Sequence, residues 1–197
     1  MSRATVTPLD EVGQALVSAA GDLLAQEGAG ALTVRAIASA AGTSTMNVYS
    51  RFGGKDGVVE HLWLQGFDLL AEAMEGSGTT DDPLADLQRC GQAYRRFALE
   101  HSTLYTVMFT GVVPDFEPSD SAKMHGLRTL SLLAQRLRRA MDAGLLRQGD
   151  ADHLAAVVWS TCHGVMSLEL THAERTGIDW SQVFTDATGA VLKGLAV

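Results

Sequence analysis

The chain has 197 residues, 46% of them hydrophobic, which suffices for a sizeable core, and it carries a formal charge of −8. That acidity excludes a nucleic-acid coat held by bulk charge. No run of about 18 apolar residues free of charges or breaks offers a transmembrane helix, and residues 1–10 lack the basic-then-apolar pattern of a signal peptide, so a cytoplasmic protein with no membrane partner is expected.

Helical periodicity runs through almost the whole sequence, and no period-two run is bounded by hairpin turns. The expected fold class is therefore all-α, with about nine helices. The first spans 10–26, capped by Asp10, with Val12, Leu16, Ala19, Ala20, Leu23 and Leu24 along one stripe. Glycines at 28 and 30 end it. Thr33 caps a second, short helix through 41, Gly42 breaks it, and Ser44 caps a third through 52. Gly53-Gly54 breaks the chain again before a fourth helix over 55–74, whose N-terminus Asp56 favours. The turn-rich connection 76–82 is the clearest boundary, and Pro83 can open the fifth helix, which reaches 101. A short helix over 103–109, a loop over 111–118 with Pro114 and Pro118, and helices over 119–143, 150–175 and 180–195 complete the chain.

The segment LTVRAIASAAGTSTMNVYSRF, 32–52, places two short helices around a glycine turn, the pattern of a helix-turn-helix. Ile37, Ala38, Ala41, Val48 and Phe52 are spaced to pack the two together. The third helix would then expose Thr45, Met46, Asn47 and Tyr49. Thr45 and Asn47 can read base edges, Met46 can touch a thymine methyl, and Tyr49 can donate to a phosphate. Arg35, Arg51 and Lys55 can neutralise phosphates. Residues 1–60 are nevertheless acidic, with four Lys and Arg against six Asp and Glu. Phosphate affinity should then be modest and drawn largely from hydroxyls and backbone N–H groups. A tight helical hairpin in a core would show the same generic pattern.

The stretch AAGDLLAQEGAGALTVRAIASAAGTSTMNVYSRFGGKDGVVEHL, 19–62, resembles the N-terminal domain of the TetR family. The family pattern falls on Glu27-Gly28, 32–35, Ile37-Ala38, Ala41-Gly42, Val48-Tyr49, Phe52 and Lys55. The resemblance implies phosphate contacts by Thr33, Arg35, Tyr49 and Lys55 and base contacts by Thr45, Met46 and Asn47. With Ser44 and Arg51 these make up the expected DNA-facing set. Two positions depart from the pattern. Arg51 stands where the family often has His, which should add a phosphate contact, and Gly53-Gly54 replaces a larger residue, which should loosen the entry to the fourth helix. The expected domains are a DNA-binding domain over 9–55 and a ligand-binding and dimerisation domain over 56–197.

In the larger part, Trp63, Phe67, Tyr94, Phe97, Tyr105, Met108, Phe109, Trp159, Cys162, His163 and Met166 are candidates for a pocket suited to an apolar or aromatic effector, although each could equally fill a core. The eighth helix is apolar on two sides. One carries Leu154, Val157, Val158, Thr161, Val165 and Leu168, the other Ala155, Trp159, Cys162, Met166 and Leu170. A helix apolar on two sides needs two covers, so the last two helices are expected to form a homodimer interface. VVWSTCHGVMSLEL, 157–170, with YRRFALEHSTLYTVMF, 94–109, resembles the WHG-type C-terminal domain of some TetR regulators, its Trp, His and Gly falling on Trp159, His163 and Gly164. Gly164 inside a helix costs about 1 kcal/mol against Ala, so a close helix contact or a bend should offset it.

Cys90 and Cys162 form no CxxC, and neither shows an activated thiol. Glu169 and His172 share a helical face without a third ligand, so no metal and no cofactor is expected. Arg136, Arg138 and Arg139 read as a solvated face. The expected function is a ligand-responsive transcriptional repressor that binds double-stranded DNA at a palindromic operator. The alternatives are an all-α enzyme using the C-terminal cavity and a helical protein-binding adaptor. Against the enzyme, the sequence offers no nucleophile–base pairing, phosphate loop or carboxylate dyad.

Overall fold

A computed structural model describes residues 9–172 and 177–197. Among these residues the chain forms nine α-helices and no strand beyond an isolated bridge between Leu146 and Ala196. The expected end of the eighth helix, 173–175, lies outside the described residues. The chain divides into two compact units, one of Met1–Asp68 with Thr103–Gly126 and the other of Leu69–Ser102 with Leu127–Val197.

The first unit begins with α1 (Glu11–Glu27), α2 (Val34–Ala40) and α3 (Thr45–Phe52), which pack on one another. The Asp10 carboxylate accepts the Gly13 N–H and starts α1. Gly28 ends it at φ 79, a left-handed conformation that costs glycine nothing. A single 3-10 turn, Ala29–Ala31, then leads to Thr33, whose hydroxyl accepts the Ala36 N–H and caps α2. Leu16, Ala20, Ile37, Ala38 and Val48 are buried to 2% exposure or less, so apolar burial fixes how the three helices cross.

Helix α4 (Lys55–Gly76) gives its stretch 55–68 to this unit and 69–76 to the other. Its junction with α3 is tight rather than loose. Gly53 takes a left-handed φ of 72 and its N–H closes on the Tyr49 carbonyl, and a Cβ on Gly57 would overlap the Phe52 carbonyl oxygen. Phe52 meets the edge of the His61 ring, with centroids 4.9 Å apart. Gly57 allows a close approach of backbone to backbone that a larger residue would prevent, and Gly53 and Gly54 supply the positive φ of the turn.

Helix α6 (Ser102–Phe109) and the start of α7 (Asp120–Asp142) complete the unit. Glu60 accepts both the N–H (2.7 Å) and the hydroxyl (3.0 Å) of Ser119, and the His125 ring meets Asp68 at 2.7 Å.

The second unit is built on α5 (Pro83–Glu100), α8 (Ala151–His172) and α9 (Trp180–Leu195), which pack on one another, with the 127–142 stretch of α7. The connection 77–82 lies inside this unit and is fastened by charge. Fully buried Asp86 accepts from the backbone and hydroxyl of Thr80, from Arg89 and from Arg139. The Thr80 backbone bond, followed by the Arg139 contact, holds its carboxyl well below the usual Asp range despite burial. Arg136 donates to the carbonyls of Gly78 and Met74. The face expected to be solvated is thus a latch for two of its three arginines, because the carbonyls of a helix end and a turn need donors.

Candidate nucleic-acid interface

In the first unit, α2 and α3 flank the turn at Gly42, which sits at φ 65. Ile37, Val48 and Phe52 point inward, so the opposite side of α3 faces out. Met46 is 71% exposed and Tyr49 55%, one helical turn apart on this side. Ser44 and Thr45 are exposed beside them, as are Thr33 and Arg35 at the start of α2. Ser44 stands at the N-cap of α3 in extended conformation, but its side chain makes no cap hydrogen bond. Lys55 opens α4, its amine 3.8 Å from the exposed Asp56 carboxylate.

Asn47 and Arg51 are placed differently from the rest. Arg51 grips Asp10 with two bonds, Nε to Oδ1 at 3.0 Å and Nη2 to Oδ2 at 2.6 Å. Its Nη1 donates to the Asn47 Oδ1 at 2.7 Å, and the Asn47 Nδ2 donates to the Thr43 hydroxyl at 2.6 Å. The Arg51 bond, with help from the Gly13 N–H, lowers the Asp10 carboxyl to about 2. Sequence reasoning missed Asp10 and Thr43 as partners of the reading helix. Asp10 was legible only as the cap of α1, and 41 residues separate it from Arg51.

The candidate effector residues fall into two sets. In the first unit, Trp63 and Phe67 are 4.3 Å apart by ring centroid, Phe109 meets Phe67 at 5.4 Å, and Tyr105 meets Phe109 at 4.9 Å. Gly66 lets Met108 in, and a Cβ on Gly126 would come within 2.7 Å of Trp63. These side chains pack against one another.

In the second unit, Tyr94, Phe97, Cys162 and Met166 are buried, and Trp159 and His163 are half-buried. The Tyr94 hydroxyl lies 3.5 Å from His163 Nδ1, and Trp159 tilts over the same ring at 5.4 Å. Burial pushes the His163 imidazole below its ordinary value, which favours the neutral ring. Burial also pushes the Cys162 thiol up to about 12, an unreactive thiol. A groove of about 220 Å³ in this unit is lined by Leu69, Ala73, Ala93, Arg96, Phe97, Glu100 and His101 among others, so Phe97 is the one expected pocket residue on it. No group of three metal-ligating side chains forms among the described residues. Glu169 is instead held by Arg95 in a two-bond pair, at 2.5 and 3.1 Å.

On α8, Leu154, Ala155, Val158, Cys162, Val165, Met166 and Glu169 face inward. Val157, Gly164 and Leu168 are exposed along another side, and a Cβ on Gly164 would meet nothing within 4 Å. The close contact expected at Gly164 is therefore absent within the described chain. On α9, Val183 is exposed and Phe184 buried.

Residues 16–62 match the family model described as bacterial regulatory proteins, tetR family. Residues 87–191, more than half the chain, match the tetracyclin repressor-like C-terminal domain. Among solved structures, a protein of unknown function from Rhodococcus sp. RHA1 superposes over all of both chains, with TM-score 0.83 and 24% identity. The TetR family transcriptional regulator PfmR from Thermus thermophilus aligns with TM-score 0.70 and 22% identity, over 92% of this chain and 99% of its own. The fatty acid degradation regulator FadR from Bacillus halodurans aligns with TM-score 0.77 and 15% identity, over 96% and 98%. No curated protein sequence matches the chain.

Proposed function

Because this chain belongs to the TetR family of DNA-binding transcriptional regulators, which are not enzymes, we propose that it works as a ligand-responsive repressor, binding a palindromic operator as a homodimer. Residues 9–55 are the reading head and 56–197 the sensing and dimerising body. The observation that carries the reading is the outward face of α3, where Thr45, Met46 and Tyr49 stand exposed beside Thr33 and Arg35. Thr45, Met46 and Asn47 reach base edges, a thymine methyl included. Thr33, Ser44, Arg35, Tyr49 and Lys55 hold the phosphates, Lys55 from a helix N-terminus whose free N–H groups favour an anion.

Dimerisation is proposed through α8 and α9. It supplies the cover that the exposed Val157, Leu168 and Val183 lack. A dimer sets two reading helices about 34–36 Å apart, one DNA turn. The effector is apolar or aromatic and enters the body among Tyr94, Phe97, Trp159, Cys162, His163 and Met166. Binding then shifts α4, which begins at Lys55, and with it the separation of the two heads. Such release requires that the effector bind the DNA-incompetent form more tightly.

Selection of duplexes from a random pool tests the reading. A palindromic site is expected, with binding to it sharply weakened by Tyr49→Ala or Lys55→Ala. A monomer in solution with no preference for any duplex over competitor at low salt would overturn it.

A further inference from the structure

The contacts Asp10–Arg51–Asn47–Thr43 run from the cap of α1 onto the reading helix, and their bearing on discrimination rests on the DNA-binding reading above. We propose that Asp10 is a specificity-determining residue: its carboxylate takes the Arg51 guanidinium in place of a DNA phosphate, and through Arg51 it fixes the orientation of the Asn47 side chain.

Three observations support this. First, the Asp10 carboxylate is held in place before Arg51 reaches it. Oδ1 accepts the Gly13 N–H at 2.8 Å at the start of α1, so the acceptor is built into a helix cap. Second, Arg51 is satisfied on three nitrogens, with two planar bonds to Asp10 and one to Asn47. An isolated exposed ion pair yields readily to a phosphate, but leaving this site breaks three charge-assisted bonds at once. Third, a guanidinium has only donors, so the Asn47 atom facing it must be the amide oxygen. That turns the Asn47 amide nitrogen toward Thr43, where the 2.6 Å bond is found. Asn47 thus presents one remaining N–H in one orientation instead of a freely turning amide.

The effect is to withdraw a positive charge from the sequence-independent part of binding and to stiffen the part that reads bases. Affinity for arbitrary DNA depends on the number of phosphates neutralised, at about 0.9 in the logarithmic salt slope for each. Asp10 therefore lowers the affinity for random duplex more than for the operator.

The test uses the full chain with the selected operator duplex and a random duplex of the same length. Asp10→Asn keeps a capping oxygen and removes the charge, and Asp10→Ser does so with a second chemistry. With two Arg51 side chains released per dimer, the salt slope of either variant should steepen by about 1.8, so that between 50 and 200 mM salt it loses roughly 12-fold more affinity than the unmodified protein. Its preference for operator over random duplex should fall. Adding Arg51→Gln to Asp10→Asn should return the slope to its starting value.

If the unmodified protein binds its operator and both variants, folded by circular dichroism, keep its slope and preference, the inference is overturned while the DNA-binding reading stands. If the unmodified protein binds no duplex, both fall together.

Discussion

Thr33 and Ser44 look alike in the sequence, each a hydroxyl residue before a short helix, yet they do different work. The Thr33 hydroxyl accepts the Ala36 N–H at 3.1 Å, while Ser44 makes no such bond. Thr33→Ala should therefore cost about 1 kcal/mol of folding stability, the usual worth of an N-cap, and Ser44→Ala close to nothing. Urea unfolding of the two variants measures the difference, and equal losses would contradict the cap assignment. On the proposed reading Ser44→Ala should still weaken DNA binding, since exposed Ser44 would lose its phosphate contact. The cap positions were legible because residue type and helix start coincide in sequence. Which hydroxyl closes the cap was not, because that depends on a rotamer. Arg51 was less legible still. Its partner, Asp10, belongs to another helix, and no periodicity carries a pairing across 41 residues.

At the scale of elements, glycine breaks and apolar stripes placed every helix to within a few residues, because helix start and stop signals are local. The faces were harder to assign. Helix α8 reads as apolar on two sides, and the structure divides one of those sides, burying Leu154, Val158 and Val165 and exposing Val157 and Leu168. The periodicity of 3.6 identifies an apolar stripe but not what covers it. Arg136 and Arg139 of α7 depart from the solvated face for the same reason, since their acceptors are the buried Asp86 and the carbonyls of a helix end and a turn, while Arg138 is exposed as expected. Gly164 turns the question of α8 into a measurement. Nothing in the described chain approaches it, so for a monomer Gly164→Ala should stabilise the helix by about 1 kcal/mol and Gly164→Leu should be tolerated. If this face meets a second copy at close range, Gly164→Leu should shift the protein toward monomer and weaken operator binding while its helical content is retained. Sedimentation equilibrium reads the outcome, and we expect the shift. A dimer undisturbed by Leu would place the interface elsewhere.

For the whole molecule, the puzzle is how a protein of charge −8 holds a polyanion. Long-range attraction is ruled out as the main device, because the summed field opposes approach. Binding must come from contacts made at short range, inside a Debye length of about 8 Å, where local placement outweighs net charge. Among the described residues, Arg51 is committed to Asp10, which on the proposed reading leaves exposed Arg35 and partly exposed Lys55 to meet phosphates. Two such cations in each of two subunits give four neutralised phosphates, and a salt slope of about −3.6 for the operator complex. Thr33, Ser44 and Tyr49 add hydrogen bonds without releasing counterions, so they raise affinity and leave the slope alone. Binding measured across a range of salt concentrations therefore counts the cations directly. A slope near −3.6 that loses about 1.8 on Lys55→Ala, two charges per dimer, fits this arrangement. A slope near −5.4 in the unmodified protein would mean that DNA takes Arg51 from Asp10 after all, and that the head rearranges as it docks.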